Sequence, residues 1–435
     1  MLYIRPEFKK AGSKVVLITP EYNKYGLPDK DSQKAVFAQV ESLIKEGKVL
    51  AAYTLGFGGI AEAVYKMAIG NGIGFEFSEG VDAKAIFECS YGSFILELGS
   101  DENIGTVLGK TTEKTAITLG SEEVAIDGLS ELYENKLEDV FSCNIDQGSR
   151  EIPTLNFDGK GKTAPAIKVA KPKVLIPVFP GTNCEFDSAK VMRDAGAEAE
   201  IIVIKNLTPA AVTESVKYFA KQLESAQMVF IPGGFSGGDE PDGSGKFITA
   251  FFRNKAVTEQ VHELLKNRDG LMCGICNGFQ ALIKLGLVPF GEIVDTDENC
   301  PTLTYNTIGR HQSKLVNVRV ASNLSPWLKY SPVGETYLTA ISHGEGRFLA
   351  SEDVVKKLIE NGQVATQYVD LEGNATADIQ YNPNNSAYAI EGITSPDGRV
   401  FGKMGHSERI GHGLYKNVDG DFNIGMFDAA VKYFK

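Results

Sequence analysis

Cys276 lies between two glycines, in the stretch Gly274-Ile-Cys276-Asn-Gly278. The residues before it are apolar or small, as in a buried strand, and residues 277–287 show a helical pattern. A nucleophile on a sharp strand-to-helix turn forms a nucleophile elbow, here with cysteine where esterases carry serine. The glycines let neighbouring backbone pack without a Cβ clash, and the positive end of the helix dipole favours thiolate. The pattern predicts covalent thiol catalysis.

Two alternatives compete with this interpretation. Cys273 and Cys276 form a C-x-x-C pair, which could be a redox couple, half of a zinc site or two buried thiols. The sequence has no second C-x-x-C and no histidine pair at ligand spacing, so we expect no metal site. Cys184 is a rival nucleophile on another predicted strand-to-helix loop, but glycines do not flank it in elbow spacing.

Cysteine catalysis on an amide or ester also needs a base and a carboxylate that orients it. The histidines are residues 262, 311, 343, 406 and 412. Two of them have a glutamate two residues on, in the pairs His343–Glu345 and His406–Glu408. Residues i and i+2 of extended backbone project to the same side, so either pair could supply base and orienter. The residues alone leave both pairs open, and a histidine near a glutamate is also common without function.

Backbone N–H groups must meet the oxyanion that forms during acyl transfer. The N–H of Asn277, directly after the nucleophile, is the first candidate. The second is Gly234, because Gly233 and Gly234 permit close backbone approach in the loop after a neighbouring strand.

Composition narrows the class of protein. The chain has 435 residues, 43% of them hydrophobic, and a net charge of −12. Two or three domains are expected at this length, and the negative charge argues against a nucleic-acid binder that neutralises phosphates. Six thinly spread cysteines indicate free thiols in a reducing cytoplasm. We find no signal peptide and no apolar run of membrane-spanning length, which predicts a cytoplasmic protein without membrane contact.

Residues 1–145 mix short strands and helices, which predicts an α+β domain. We expect a helix from a Ser32 cap to Glu46, a strand at Ala85–Cys89 and a helix from Leu129 to Phe141. The glycine-rich residues 56–59 precede another helix and would be either an anion site or a tight turn. Residues 146–172, rich in Gly, Pro and Lys and without periodicity, are predicted to be a linker.

Residues 173–435 are predicted to form a second, α/β domain. Strand–loop–helix alternation up to the elbow predicts a mostly parallel sheet with helices on both faces. Ligands bind at the carboxyl ends of such strands, so loops 180–184, 232–238 and 275–278 should meet at one edge. The part after about residue 300 is less regular.

Gly-Ile-Cys276-Asn-Gly-Phe-Gln, Pro232-Gly-Gly-Phe-Ser and Gly405-His406-Ser-Glu408-Arg together resemble the class I glutamine amidotransferases. Phe179-Pro-Gly-Thr-Asn-Cys184-Glu, Ser342-His343-Gly-Glu-Gly-Arg347-Phe and Asn323-Leu-Ser-Pro-Trp327 resemble, more narrowly, the phosphoribosylformylglycinamidine synthase family in its large single-chain form. The similarity covers about residues 172–435. Residues 1–150 resemble the last synthetase half-domain of that family, similar to aminoimidazole-ribotide synthetase folds.

The resemblance implies roles for individual residues. His406 would be the base of a Cys276–His406–Glu408 triad. Phe235 and Gln280 would help to bind glutamine. The motif with His343, Glu345 and Arg347 would be an accessory element near the glutamine pocket or a domain interface.

The implied reaction is glutamine hydrolysis that supplies ammonia for ATP-dependent amination of formylglycinamide ribonucleotide in purine biosynthesis. The glutaminase domain would need no cofactor. ATP and Mg would be bound by an amino-terminal synthetase part, in the same or a separate chain, which is the expected partner.

Many family members carry Ser-Asp-Gly-Gly where this chain has Gly56-Phe57-Gly58-Gly59, so this chain lacks the Asp that those members have at this turn. The alternatives are a class I amidotransferase of another pathway, another cysteine hydrolase, or a non-catalytic module with a relict triad.

Overall fold

The computed structural model describes residues 4–142, 145, 151–159, 161–162, 164–236 and 245–435. The chain divides into two compact units. Unit 1 comprises Met1–Asn144 and Tyr415–Val418, and unit 2 comprises Ile145–Leu414 and Asp419–Lys435. Within these described stretches, no helix is both long and apolar enough to cross a membrane.

Unit 1 is an α+β structure built on a seven-stranded sheet. Its strands are β1 (Lys14–Ile18), β2 (Val49–Thr54), β3 (Gly74–Phe77), β4 (Phe94–Leu98), β5 (Thr106–Thr112), β6 (Ala116–Leu119) and β7 (Glu122–Ala125), and its helices are α1 (Lys30–Lys45), α2 (Gly59–Ile69) and α3 (Ile126–Asn135). The strand order is β2-β4-β1-β5-β3-β6-β7. All neighbours are antiparallel except β3 and β6.

The first helix begins earlier than the sequence predicted. Asp29, not Ser32, is its N-cap: one Asp29 carboxylate oxygen accepts hydrogen bonds from the backbone N–H groups of Asp31 and Ser32. Val36, Val40 and Leu43 then recur at helical spacing and are buried.

Two other predictions for unit 1 were wrong. Residues 85–87 form a 3₁₀ turn rather than a strand. This turn packs against Gly59, where a Cβ would lie 2.8 Å from the carbonyl oxygen of Ile86, so close approach of two backbones replaces sheet pairing. The helix predicted to reach Phe141 ends at Asn135, and it buries only Ile126, so little packing holds a longer helix.

Unit 2 contains a nine-stranded sheet and a separate two-stranded sheet. Its strands are β8 (Lys173–Val178), β9 (Glu198–Val203), β10 (Met228–Ile231), β11 (Leu271–Ile275), β12 (Thr302–Thr304), β13 (Gln312–Val320), β14 (Thr336–His343), β15 (Arg347–Leu349), β16 (Val364–Val369), β17 (Ile390–Thr394) and β18 (Val400–Lys403). Its helices are α4 (Glu185–Asp194), α5 (Pro209–Leu223), α6 (Lys246–Phe252), α7 (Lys255–His262), α8 (Asn277–Leu285), α9 (Leu287–Phe290), α10 (Glu352–Glu360) and α11 (Met426–Phe434).

The nine-stranded sheet changes from antiparallel to parallel strand pairing at β18. Its order is β14-β13-β16-β17-β18-β11-β10-β8-β9, and β12 pairs with β15 apart from it. The strands from β18 to β9 are parallel, whereas those from β14 to β18 are antiparallel. Every residue of β10 and β11 is buried, as expected for parallel strands covered on both faces. The antiparallel half was not foreseen from the sequence.

The described part of the predicted linker lies along unit 2. The N–H of Phe157 donates to the carbonyl of Ala321 at 2.8 Å, and the N–H of Leu155 donates to the Gln367 side chain at 2.8 Å. Irregular composition therefore does not mean lack of contacts here.

Candidate functional site

Cys276 occupies the sharp turn between β11 and α8. Its φ of 53° and ψ of −107° are rare for a residue with a Cβ. The flanking glycines are required by packing: a Cβ on Gly274 would lie 2.6 Å from the carbonyl carbon of Gly278, and one on Gly278 would lie 2.1 Å from the carbonyl oxygen of Ile231. The elbow therefore has the geometry that its spacing predicts.

The other half of the C-x-x-C pair lies inside β11. Cys273 is fully buried, and burial raises the pKa of its thiol well above the usual range. It is therefore a protonated core thiol with the packing role of a small apolar side chain. Cys276, 4% exposed, has its Sγ 3.8 Å from the carbonyl oxygen of Ser342 at the end of β14.

His406 and Glu408 form a buried pair just after β18. His406 Nδ1 lies 2.6 Å from Glu408 Oε1. Burial, the largest single influence, lowers the pKa of His406, but the Glu408 carboxylate and the contacts with the thiols of Cys184 and Cys276 together outweigh it, so the pKa of His406 is raised well above its usual value. His406 Nε2 has no hydrogen-bond partner among the described residues, which leaves this nitrogen available for proton transfer.

In the second His-x-Glu pair, His343 and Glu345, the described structure shows no hydrogen bond between the histidine ring and the carboxylate. His343 is 2% exposed, and neither ring nitrogen has a hydrogen-bond partner within the described part of the chain. Burial, with smaller contributions from the positive charges of His406 and His311, lowers the pKa of His343 to about 3. His343 is therefore neutral at ordinary pH and lacks an orienting carboxylate.

The loops after β8 and β10 meet beside the elbow. The N–H of Asn183 donates to the carbonyl of Gly233 at 3.1 Å, and that of Phe235 donates to the carbonyl of Gly181 at 2.8 Å. A Cβ on Gly233 would lie 2.6 Å from His406 Cε1 and 3.4 Å from Cys276 Cβ. The second loop therefore passes directly against both reacting side chains. Residues 237–238 of this predicted loop lie outside the described residues.

Of the two predicted oxyanion residues, Asn277 directly follows Cys276, and Gly234 follows Gly233, which lies against Cys276. Asn277 is the first residue of α8, so its N–H lies at the amino end of that helix. Gly234 has a φ of 148°, and a Cβ there would lie 2.5 Å from the carbonyl oxygen of Gly181. The Asn277 side chain ties the two loops together, because its Oδ1 accepts from the N–H of Ser236 at 3.2 Å.

The predicted glutamine-binding residues lie around the same elbow. Gln280 accepts from Asn277 Nδ2 at 3.0 Å and donates to the carbonyl of Glu345 at 2.5 Å. The ring of Phe235 lies 5.9 Å from that of His311. Arg347 donates from Nε to the carbonyl of Asn385 at 3.3 Å. The structure thus connects Gln280 to the His343–Arg347 motif through the backbone carbonyl of Glu345, whereas the Arg347 side chain binds the carbonyl of Asn385.

Cys184 and Arg409 also reach the base, a feature that sequence reasoning missed. Cys184 Sγ is 3.8 Å from His406 Nδ1, and Arg409 Nη2 donates to the same sulfur at 3.2 Å. The sequence alone indicates for Cys184 only the role of a rival nucleophile, although it lies on a loop predicted to reach this edge of the sheet. The structure places it behind His406, on the Glu408 side of the ring.

Cys184, His406 and Glu408 are also the group of described residues whose donor atoms, all within 4.8 Å of one another, could hold a metal ion. The Arg409 guanidinium beside Cys184 opposes a second cation. His406 Nδ1 is already bound to Glu408. The arrangement fits a base and its orienter better than a metal centre.

The Gly56–Gly59 turn does not fit a phosphate. The N–H of Gly58 donates to Glu62 Oε2 at 2.8 Å, so a carboxylate of α2 itself occupies the amino end of this helix. A Cβ on Gly58 would lie 2.5 Å from Glu62 Cβ. The glycines serve a tight turn, one of the two alternatives left open by the sequence.

Comparisons with known proteins show which family this chain is similar to. Residues 171–434 match the family model of the CobB/CobQ-like glutamine amidotransferase domain. Phosphoribosylformylglycinamidine synthase subunit PurQ of Methanococcus maripaludis is 34% identical over 62% of this chain and 99% of its own length. The probable chloroplastic/mitochondrial phosphoribosylformylglycinamidine synthase of Arabidopsis thaliana is 27% identical over 88% of this chain, which spans 29% of that protein. The structure of PurLQS from Thermotoga maritima has 25% identity, covers 61% of this chain and 100% of that chain, and gives a TM-score of 0.44.

These matches confirm the resemblance to the phosphoribosylformylglycinamidine synthase family that the motifs indicated. They also confirm the predicted fold class, an α/β structure with a class I glutamine amidotransferase domain. They also confirm the predicted enzyme class, the glutaminase part of an ATP-dependent ligase. The chain belongs to the CobB/CobQ-like glutamine amidotransferase domain family, and within it to the relatives of phosphoribosylformylglycinamidine synthase.

Proposed function

We propose that this chain hydrolyses glutamine at Cys276 and supplies the ammonia for ATP-dependent amination of formylglycinamide ribonucleotide in purine biosynthesis. The observation that carries this proposal is the elbow. Cys276, held at φ 53° immediately before α8, lies against the loop of Gly233, and this loop also lies against His406 of the His406–Glu408 pair. A nucleophile, a base and an orienter thus converge at the carboxyl ends of β11 and β18.

Cys276 attacks the side-chain carbonyl carbon of glutamine. His406 holds the thiol proton at Nε2 and transfers it to the leaving nitrogen, so that ammonia departs and a glutamyl thioester remains. A water molecule then attacks the thioester, again with His406 as base, and glutamate and the free thiol are released. Glu408 fixes the ring by accepting from Nδ1–H and stabilises the imidazolium. Burial, the largest single influence, raises the pKa of Glu408, but the charge and hydrogen bond of His406, with a backbone hydrogen bond and the charge of Arg409, together lower it and keep the carboxylate ionised.

The N–H groups of Asn277 and Gly234 stabilise the oxyanion. The Asn277 N–H lies at the amino end of α8, where the helix dipole adds to the hydrogen bond. The bond between Asn277 Oδ1 and the Ser236 N–H keeps the two donor loops in register. Phe235 and Gln280 border the glutamine pocket, and the motif of His343, Glu345 and Arg347 lies along its wall as an accessory element.

The amination step belongs to a synthetase part that binds ATP, Mg²⁺ and the ribonucleotide. No step at Cys276 requires them. The match to the Arabidopsis chain covers 88% of this chain, against 62% for the Methanococcus subunit, and therefore extends into unit 1. This supports assigning residues 1–145 to a synthetase half-domain, residues 146–172 to a linker and residues 173–435 to the glutaminase.

The test combines turnover with labelling of the full chain. We expect glutamate and ammonia release from glutamine to fall roughly 10³-fold or more in Cys276→Ala, because the covalent route is lost. A diazo-ketone analogue of glutamine should label Cys276, and free glutamine should protect it. Cys300→Ser, which changes a partly exposed thiol elsewhere, is the matched control and should keep full activity and labelling.

Label on Cys184 instead would move the nucleophile and contradict the mechanism. The link to amination is tested with the synthetase partner, ATP and the ribonucleotide. Cys276→Ala should then fail with glutamine and recover with ammonium chloride. Equal failure with both nitrogen sources would refute the role of this chain as an ammonia supplier.

A further inference from the structure

A buried ion pair lies beside the segment that carries His406. Lys403, the last residue of β18, and Glu391 on the neighbouring strand β17 are both fully buried, with Lys403 Nζ 3.1 Å from Glu391 Oε1. Neither residue belongs to the nucleophile, the base or the oxyanion donors. Charged side chains are rarely buried to this degree, so the pair calls for an explanation beyond packing.

Both charges bind the residues on either side of His406. Lys403 Nζ donates to the carbonyl of Gly405 at 2.9 Å and to Ser407 Oγ at 3.0 Å, so with Glu391 all three ammonium protons have acceptors. Glu391 Oε1 accepts from the N–H of Gly405 at 2.6 Å. Residues 405 and 407 are therefore tied to charges, with His406 between them.

The remaining contacts leave this segment little freedom. Thr366 donates from its hydroxyl to the other oxygen of Glu391, and the N–H of His406 donates to the carbonyl of Ala340 at 2.8 Å. A Cβ on Gly405 would lie 2.4 Å from Thr339 Cγ2 and 2.9 Å from Glu391 Oε1. The segment thus fits between β14 and the ion pair with no room for a side chain at position 405.

Stability alone does not account for such a pair. A buried ion pair loses the hydration of both charges, and well-packed apolar side chains of similar size are often as good or better for folding. What apolar side chains cannot do is hold a peptide N–H, a peptide carbonyl and a hydroxyl at fixed points. These bonds are directional, and all three belong to neighbours of the base.

We infer that Lys403 and Glu391 are positioning residues, which hold His406 between Cys276 and Glu408. The inference rests on the proposed function, in which His406 is the base. The ion pair acts through the 405–407 backbone and does not touch the reacting atoms. It sets the distance between His406 and Glu408 and the direction of Nε2.

The test is to remove both charges together, as Lys403→Met with Glu391→Leu, so that no lone charge stays buried. We expect kcat for glutamine to fall about 10²-fold, the effect of a misplacement of the order of 1 Å, while KM stays within about twofold. Unfolding followed by Trp327, the single tryptophan and buried in unit 2, should remain near wild type. Gln363→Met is the matched control: Gln363 is buried and donates to the carbonyls of Pro289 and Thr394, but does not bind residues 405–407, and kcat should be unchanged.

A second readout does not depend on glutamine turnover. In protein labelled with ¹⁵N-histidine, the His406 ring should titrate at lower pH in the double variant than in wild type, because the contact with Glu408 is loosened. An unchanged titration together with wild-type kcat would overturn the inference. If the double variant does not fold, Ser407→Ala replaces it, because this change removes the hydrogen bond from Lys403 Nζ to Ser407 Oγ and leaves both charges in place. We expect kcat to fall about fivefold in this variant. A wild-type kcat in Ser407→Ala would also overturn the inference. A wild-type chain inactive on glutamine would defeat the proposed function, and the His406 titration would still decide the positioning role.

Discussion

His343 makes the stability of unit 2 depend on pH in a way that can be calculated. The pKa of this buried ring is about 3 in the folded state, against about 6.5 in an unfolded chain. Between these values the unfolded chain binds a proton that the folded chain does not. The contribution of His343 to the free energy of unfolding is therefore fully present above pH 6.5 and is lost as the pH falls from 6.5 towards 3.

The size of the effect follows from the two pKa values. Between pH 7 and pH 5 the uptake of this one proton lowers the free energy of unfolding by about 2 kcal/mol. The result depends mainly on the unfolded value, because both pH values lie well above the folded pKa. Replacement by glutamine removes the titrating ring, so His343→Gln should lose about 2 kcal/mol less than wild type over the same interval.

The assay is urea unfolding at pH 7 and pH 5, followed by the fluorescence of Trp327, which reports on unit 2 alone. His412→Gln, at an exposed position, serves as the control and should lose as much stability as wild type. If wild type and His343→Gln lose equal stability between the two pH values, His343 is not a buried neutral ring and the reasoning fails.

Three further predictions concern the elbow and the base. Gly233→Ala should lower kcat roughly 10²-fold, since the new Cβ would lie 2.6 Å from His406 Cε1. The control is Gly128→Ala, at a helical position with open space around it. Equal kcat in the two variants would contradict the packing argument. His406→Asn should reduce glutamine turnover at least about 10²-fold more than His343→Asn, because only His406 has an orienting carboxylate, and the reverse order would reassign the base. Gly278→Ala should lower the free energy of unfolding by about 3 kcal/mol in the same urea assay, as the Cβ would meet the carbonyl of Ile231, and an unchanged midpoint would show that the elbow can relax.

The nucleophile and its loops could be predicted because they depend on local rules. Two glycines around Cys276 are needed by the backbone itself, and the strand–helix alternation orders the parallel strands without knowledge of distant contacts. The loops at 180–184 and 232–236 then reach the same edge by topology alone. Where sequence spacing determines backbone geometry, the sequence is sufficient.

The base could not be chosen in this way. His343 and His406 have the same local pattern and are equally buried. What separates them is that the glutamate two residues on reaches the ring only at His406, where distant residues such as Ala340 hold the backbone. Cys184 and Arg409 meet at His406 only because β8 and β18 end at the same edge. The strand predicted at Ala85–Cys89 failed for the related reason that a backbone contact with Gly59 outweighs β propensity.

The hydrogen bond between His406 and Ala340 has a consequence for aggregation. β14 is the edge strand of the nine-stranded sheet, and an open edge is a template for pairing with another molecule. Here two backbone groups of this strand are occupied: the carbonyl of Ala340 accepts from His406, and the N–H of Leu338 donates to the carbonyl of Asp421. Displacement of the segment around His406 would therefore leave part of this edge strand unpaired and would also misplace the base. The same hydrogen bond thus covers part of the sheet edge and holds the segment that carries the base.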